Sequence, residues 1–354
     1  MKLTITDIAR LANVSISSVS LALNNKPGLA QETREKILKI AEANGYVVKN
    51  NFAQNKNVVN RSDNIIKFVA CTNPGIVIEE YESLPFFTEL INNIGKYLFS
   101  KDYSLMLSNI NMDNLHEDIK LISKEGGCDG IILLGTDLNE EQIEFIAKHQ
   151  PNIVVLDNCF DTLNVSFVNM NSMQGAYQAT KYLIEAGHKR IGYVKSKVRI
   201  RNFELRKEGF MKALNQNNLK LLDKDILTMI PTVLSSQEVF KKKIDQRRDD
   251  LPTAVFCESD YMAISFIKSL SEVGLKIPND VSVVGFDDIQ EAKILTPELS
   301  SISVDKEKMA TLAVDKIIEL MNNPQQTRVK YIVDTELIVR NSTQTIEQHT
   351  SSTE

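Results

Sequence analysis

Long apolar runs, paired cysteines and clustered histidines are all missing from this 354-residue sequence. No uncharged apolar stretch reaches the roughly 18 residues that a membrane-spanning helix needs. The opening MKLTITDIAR lacks the apolar core of a secretory signal, so a cytoplasmic protein with no membrane partner is expected. The four cysteines, Cys71, Cys128, Cys159 and Cys257, are far apart and form no C-x-x-C pair. Each lies in or beside an apolar run, as a small buried hydrophobe does in a reducing compartment. His116, His149, His188 and His349 are isolated, and no metal-ligand spacing occurs. The sequence has no G-x-S-x-G, H-E-x-x-H or G-x-x-x-x-G-K-[ST], and no G-x-G-x-x-G after a strand. No enzyme, metal or cofactor is expected.

What is present is ordinary globular composition, 43% apolar and 25% charged, enough for two or three packed cores. Its charge is uneven. Residues 1–61 hold nine Lys/Arg against four Asp/Glu, a net of +5, whereas the remainder carries −10. A basic head on an acidic body suits a phosphate-binding module joined to a domain that stays off nucleic acid.

The head has a pattern of its own. Thr4 followed by Asp7 is a capping-box variant that starts a helix at Ile5, with Ile8, Ala9, Leu11 and Ala12 as its apolar face. Asn13 tolerates a left-handed corner, and Ser15 can cap a second helix from Ile16 to about Leu23. Val19 and Leu23 then face back toward the first helix. A third helix, QETREKILKIAEANG, follows the KPG turn and supplies Ile37, Ile40 and Ala41 to a three-helix core. The spacing fits a helix-turn-helix whose second helix enters the major groove, the alternative being a small bundle made for protein contact.

From Ile65 onward, apolar runs (IIKFVA, YSLMLS, GIILLG, IVVLD, RIGYV, TAVFC, VSVVGF) alternate with amphipathic helices. These helices cover Ile119 to Lys124, Ala176 to Ala186, Asp260 to Val273 and Lys306 to Met321. Such alternation predicts parallel sheets covered on both faces, an α/β class.

The stretches TITDIARLANVSISSVSLALNN and TREKILKIAEANGY resemble the DNA-binding head of the lactose-repressor/galactose-repressor (LacI/GalR) family of bacterial transcription factors. The resemblance continues through PFFTEL, GCDGIILLG, EAGHKRIGYV, SDYMAISFIKSLSEVGLKIPNDVSVVGFDD and LTPELSSISVDKEKMATLAVDKIIELM to VRNST. It implies a helix-turn-helix head over 1–47 and a hinge or linker over 48–62. A periplasmic-binding-protein-like core of two parallel-sheet subdomains over 63–343 follows, then a disordered tail over 344–354. The chain should cross between subdomains near 165–170, 292–305 and 325–333.

The resemblance also assigns sites. Base reading falls to Ile16, Ser17 and Leu21, the last usually arginine in the family. Leucine cannot donate to guanine, so only apolar contact with a thymine methyl is left to Ile16 and Leu21, while Ser17 can bond either way. Thr4, Ser15, Ser20, Asn24, Thr33 and Tyr46 complete the expected DNA-binding set, largely through phosphates. The hinge proline is absent, and Asn55 or Lys56 stands near the position of the family's minor-groove leucine. Phe52 can replace that wedge only if the register slips. Residues 48–62 read as a polar linker or as a hinge that folds on DNA.

Ligands in such folds lie beyond the carboxyl ends of the strands. Asp157, Asp287, Ser259, Asp260 and Arg206 fall there, with Arg206 and Asp287 matching the family's main effector-gripping pair. Carboxylates and a guanidinium suit sugar hydroxyls, and Phe86 and Phe87 stack on a ring or pack in the core. A lone strand-end aspartate is also read as a helix cap. Against the family's pattern the segment PGIVIEEYESL before PFF is an insertion, expected to form part of the pocket rim. The implied function is a sugar-responsive repressor on a palindromic operator. The alternatives are a corepressor-dependent regulator, a sugar receptor without DNA function, or a carbohydrate enzyme. The tail QTIEQHTSSTE has one apolar residue, Ile346, and no heptad, so a homodimer is expected.

Overall fold

In the computed structural model, residues 4–23, 29–43, 64–124 and 128–346 are described. The chain divides into two compact units, Met1–Val59 and Asn60–Glu354. Membrane-crossing helices are absent among the described residues.

Three helices, α1 (Ile5–Ala12), α2 (Ile16–Leu23) and α3 (Gln31–Ala43), form the first unit. The Thr4–Asp7 capping box is made in both directions, and Asn13 turns the corner at φ 55°. Ser15 caps α2 by accepting from the Ser18 amide at 3.1 Å. Ile8, Ala9, Ala12, Val19, Ala22, Ile37 and Ala41 are buried together, with Leu23 and Ile40 packed against them. Leu11 departs from expectation: it is 51% exposed, because three small or branched residues already fill the face of α1. Described structure in α3 ends at Ala43, short of the expected end at Gly45.

The second unit is built on two six-stranded sheets. The first lobe runs β1 (Ile65–Thr72), α4 (Pro85–Ser100), β2 (Ser104–Asn111), α5 (Leu115–Lys124), β3 (Cys128–Leu134), α6 (Glu140–His149), β4 (Ile153–Leu156) and β5 (Ser166–Met170). The chain then crosses. In the second lobe it forms α7 (Ser172–Glu185), β6 (Ile191–Ser196), α8 (Arg201–Gln216), β7 (Ile226–Met229), α9 (Glu238–Asp245), β8 (Ala254–Cys257) and α10 (Asp260–Glu272). There follow β9 (Ser282–Asp287), α11 (Gln290–Ile294) and β10 (Ser300–Ser303). Helix α12 (Lys306–Asn322) and β11 (Lys330–Val333) return to the first lobe, and β12 (Glu336–Ile338) joins the second.

Strand orders are β2-β1-β3-β4-β5-β11 and β7-β6-β8-β9-β10-β12. Every pairing is parallel except β10 with β12. These are doubly wound sheets, which open a crevice where the strand order reverses. The crossings lie after Met170, at 304–305 and at 334–335, each within a few residues of the expected places. Strands β5, β7, β10, β11 and β12 were not among the expected apolar runs. They are short or carry polar residues, as in SFVNM and KYIV.

One expectation is corrected at the carboxyl end. The backbone and side chain of Gln344 donate to Ser282 Oγ and the Asn279 carbonyl, and the Ile346 amide donates to the Ala186 carbonyl at 2.8 Å. Residues 344–346 are thus tied to the core, and the rest of the expected tail lies outside the described residues. His188, buried, also binds here, with Nε2 3.1 Å from the Gln344 carbonyl. Its role is to anchor this segment.

Candidate effector cleft and nucleic-acid interface

Strand ends and helix starts from both lobes meet around a cavity. The first lobe contributes Ile76, Leu84, Phe86, Phe87, Thr136 and Asp157. Ile200, Asn202, Phe203, Arg206, Pro231, Thr232, Ser259, Tyr261 and Asp287 come from the second. Six of the seven residues expected at an effector are therefore brought together. The exception is Asp260. Its carboxylate turns into the second lobe, where it accepts from Ser301 Oγ at 2.6 Å and from the Ile289 amide at 3.0 Å. It braces β10 and the loop after β9, and does not line the cavity.

Asp157 and Asp287 leave their strands with φ of 62° and 110°, a backbone region that L-residues seldom occupy. Such strain is retained where a side chain has to be aimed, and costs on the order of 1–3 kcal/mol. Asp157 accepts from Thr136 Oγ1 at 2.5 Å and from Asn202 Nδ2 at 2.8 Å. Burial pushes its carboxyl up to about 7, against the opposing pull of Thr136 and of Arg206.

Arg206 is buried on α8 between the Phe286 and Phe203 rings, with its guanidinium carbon 3.7 Å from the centre of the first. Nη2 donates to Asp287 Oδ1 at 3.1 Å, Nη1 donates to the Glu258 carbonyl, and Nε has no partner among the described residues. Asp287 also titrates high because it is buried, although Arg206 and Lys306 hold it down. Lys306 Nζ donates to the Asp287 carbonyl at 3.0 Å and pairs with Glu89 at 3.2 Å.

Phe86 and Phe87 pack edge to face with ring centres 5.4 Å apart, and each is at once core and cavity wall. The segment before α4 is tied down by Asp137, whose Oδ2 accepts from the Ile76 and Val77 amides at 2.8 and 2.7 Å. Thr136, Asn202 and Tyr261 were missed by sequence reasoning. Two neutral side chains gave no charge signal, and Tyr261 sits next to the aspartate that drew attention instead.

In the head, Ile16 and Ser17 are exposed at the start of α2 and Leu21 is half-buried one turn on. Ser15 Oγ lies 2.7 Å from Ser17 Oγ. Ser20 and Thr33 are half-buried, and Thr4 Oγ1 is engaged in its own cap. Asn24, Tyr46 and the whole of 48–62 lie outside the described residues. Arg34, not foreseen, donates from α3 to the carbonyls of Leu21 and Ala22 at 3.2 and 3.5 Å, closing the carboxyl end of α2.

A helix-turn-helix unit together with a two-lobed core that meets around a polar and aromatic cleft defines an effector-controlled DNA-binding regulator. The model of the bacterial regulatory proteins of the lacI family matches residues 4–48, and that of a periplasmic binding protein-like domain matches 180–343. The HTH-type transcriptional regulator MalR of Clostridium butyricum is 31% identical over 349 residues, covering 96% of this chain and 99% of its own. Among solved structures, the transcriptional regulator CelR–cellobiose complex has a TM-score of 0.69 at 22% identity, covering 96% of this chain and 99% of its own. The lac repressor dimer bound to operator and the anti-inducer ONPF has a TM-score of 0.67 at 19% identity, covering 97% and 100%. The chain belongs to the lacI family of bacterial regulatory proteins: it is a DNA-binding transcriptional regulator and not an enzyme.

Proposed function

We propose that this regulator is a cytoplasmic homodimeric repressor that leaves a palindromic operator when a sugar fills the cleft. The observation that carries the sugar reading is the buried Arg206–Asp287 pair at the wall of a cavity whose other faces are Phe86, Phe203 and Tyr261. A carboxylate that accepts and a guanidinium that donates match the hydroxyls of a sugar, and aromatic rings match its apolar face. Asp157, from the first lobe, and Ser259, from the second, add further polar groups to the lining.

On DNA, Ile16, Ser17 and Leu21 face bases, while Thr4, Ser15, Ser20, Asn24 and Thr33 seat the head on phosphates and Tyr46 completes the DNA-binding set. One head offers too few contacts for genomic specificity, so two are needed. The second copy has a surface to use: edge strand β2 and the end of α4 expose Met106, Leu107 and Phe99, the last at 69%. A thermal-shift screen of sugars, followed by operator binding with and without the stabilising sugar, tests the reading. A sugar at ~100 times its dissociation constant raises stability by about 2.7 kcal/mol. A screen in which only nucleobases stabilise the protein overturns the sugar assignment.

A further inference from the structure

Helix α4 begins with Pro85, so Phe86 is its second residue, and its amide has no partner within the helix. A buried amide of this kind needs an acceptor. The acceptor here comes from the other lobe: the Phe86 N–H donates to Tyr261 Oη, on the first turn of α10, at 3.0 Å, and the contact is buried. Tyr261 lines the cavity while it makes this bond.

Other bonds also cross between the lobes, but several sit at the connecting segments. Asn169 Nδ2 donates to Asn202 just before the first crossing, and Lys306 reaches Asp287 just after the second. Bonds beside a hinge persist while the lobes part. Phe86 and Tyr261 lie far along the chain from all three crossings, in elements that separate when a cleft opens.

We infer that Tyr261 is a positioning residue that latches the two lobes shut through its hydroxyl and, with its one remaining proton, donates to an oxygen of the cleft's occupant. The second half of this rests on the sugar reading above. One lone pair is committed to the Phe86 amide, and a phenol has a single proton to give. Closure and recognition therefore meet on one atom, which selects effectors that present an acceptor oxygen at that wall.

The test uses the full chain and Tyr261→Phe, which keeps the ring and removes only the hydroxyl. Amide hydrogen exchange of the ligand-free protein should show the first turn of α4 exchanging about fivefold faster or more in the variant, the effect of one lost hydrogen bond. The strands of β8 and β9 should be unchanged. A role in ring packing alone predicts no change in the variant, and equal exchange at Phe86 in both proteins overturns the latch. Thermal shifts with D-ribose, D-glucose, D-galactose and D-glucuronate form the second arm. A sugar that stabilises the parent should lose most of its shift in Tyr261→Phe, and an undiminished shift overturns the donation. If none of these sugars stabilises the parent, the sugar reading fails, while the exchange result still decides the latch.

Discussion

Asn202, on the first turn of α8, donates from Nδ2 to both the carboxylate and the backbone carbonyl of Asp157, at 2.8 and 2.9 Å, joining the end of β4 to the opposite lobe. Its own carbonyl oxygen accepts from Asn169, so the amide's orientation is set. Burial outweighs both the hydrogen bond from Thr136 and the charge of Arg206, and the Asp157 carboxyl stays well above the ordinary 3.8.

That displacement makes stability depend on pH. With a folded-state value of about 7 against 3.8, the folded protein keeps the Asp157 proton that the unfolded chain gives up. The contribution is fully present below the ordinary value and is lost as pH rises through about 7. Asp157→Asn removes this pH dependence. Melting temperatures at about pH 5 and about pH 8 should fall further for the parent than for the variant. Equal falls would mean that Asp157 is ionised throughout.

Leu21 predicts a change of operator preference. It is half-buried on α2 and has no polar group to offer a base edge. Leu21→Arg should create a guanine preference in each half-site worth ~1–3 kcal/mol. Binding selections from random DNA with both proteins read this directly. Identical selected sites would place the side chain against the protein and outside the groove.

Arg34 should matter without touching a base. It donates to the carbonyls of Leu21 and Ala22 at the end of α2 through Nη1. Arg34→Met keeps the apolar stem and loses the charge-assisted bonds, a cost of about 1 kcal/mol at this partly exposed site. Operator affinity should drop severalfold, with the thermal transition of the core unmoved. Unchanged affinity would remove the cap from the account.

The legible parts of this protein were those where one residue type answers one physical demand. The corner at Asn13, the cap at Ser15 and the apolar runs of β1, β3, β4, β8 and β9 follow from backbone preference and burial, and Asp157, Arg206 and Asp287 stand out as charges at strand ends. Asp260 had the same signature and a different fate. As the first residue after the Ser259 cap it turns toward β10, leaving Tyr261 at the cavity, a difference of one helical position that no periodicity resolves. Strands β10, β11 and β12, SSIS, KYIV and ELI, were hidden because polar residues interrupt their apolar pattern and they flank the crossings. Thr136, Asn202 and Arg34 act through hydrogen bonds formed only in the folded chain.

Control of DNA binding from the cleft requires an effector that prefers one of two states, with Arg206 and Asp287 proposed to supply the differential grip. The most direct measurement is operator binding, with and without the stabilising effector, for the parent, Arg206→Ala and Asp287→Asn, each first confirmed as folded. Both variants should bind operator without effector within about threefold of the parent, a difference of ~0.7 kcal/mol, and neither should be released by effector. Folded variants that lose operator binding in the absence of effector would contradict the account.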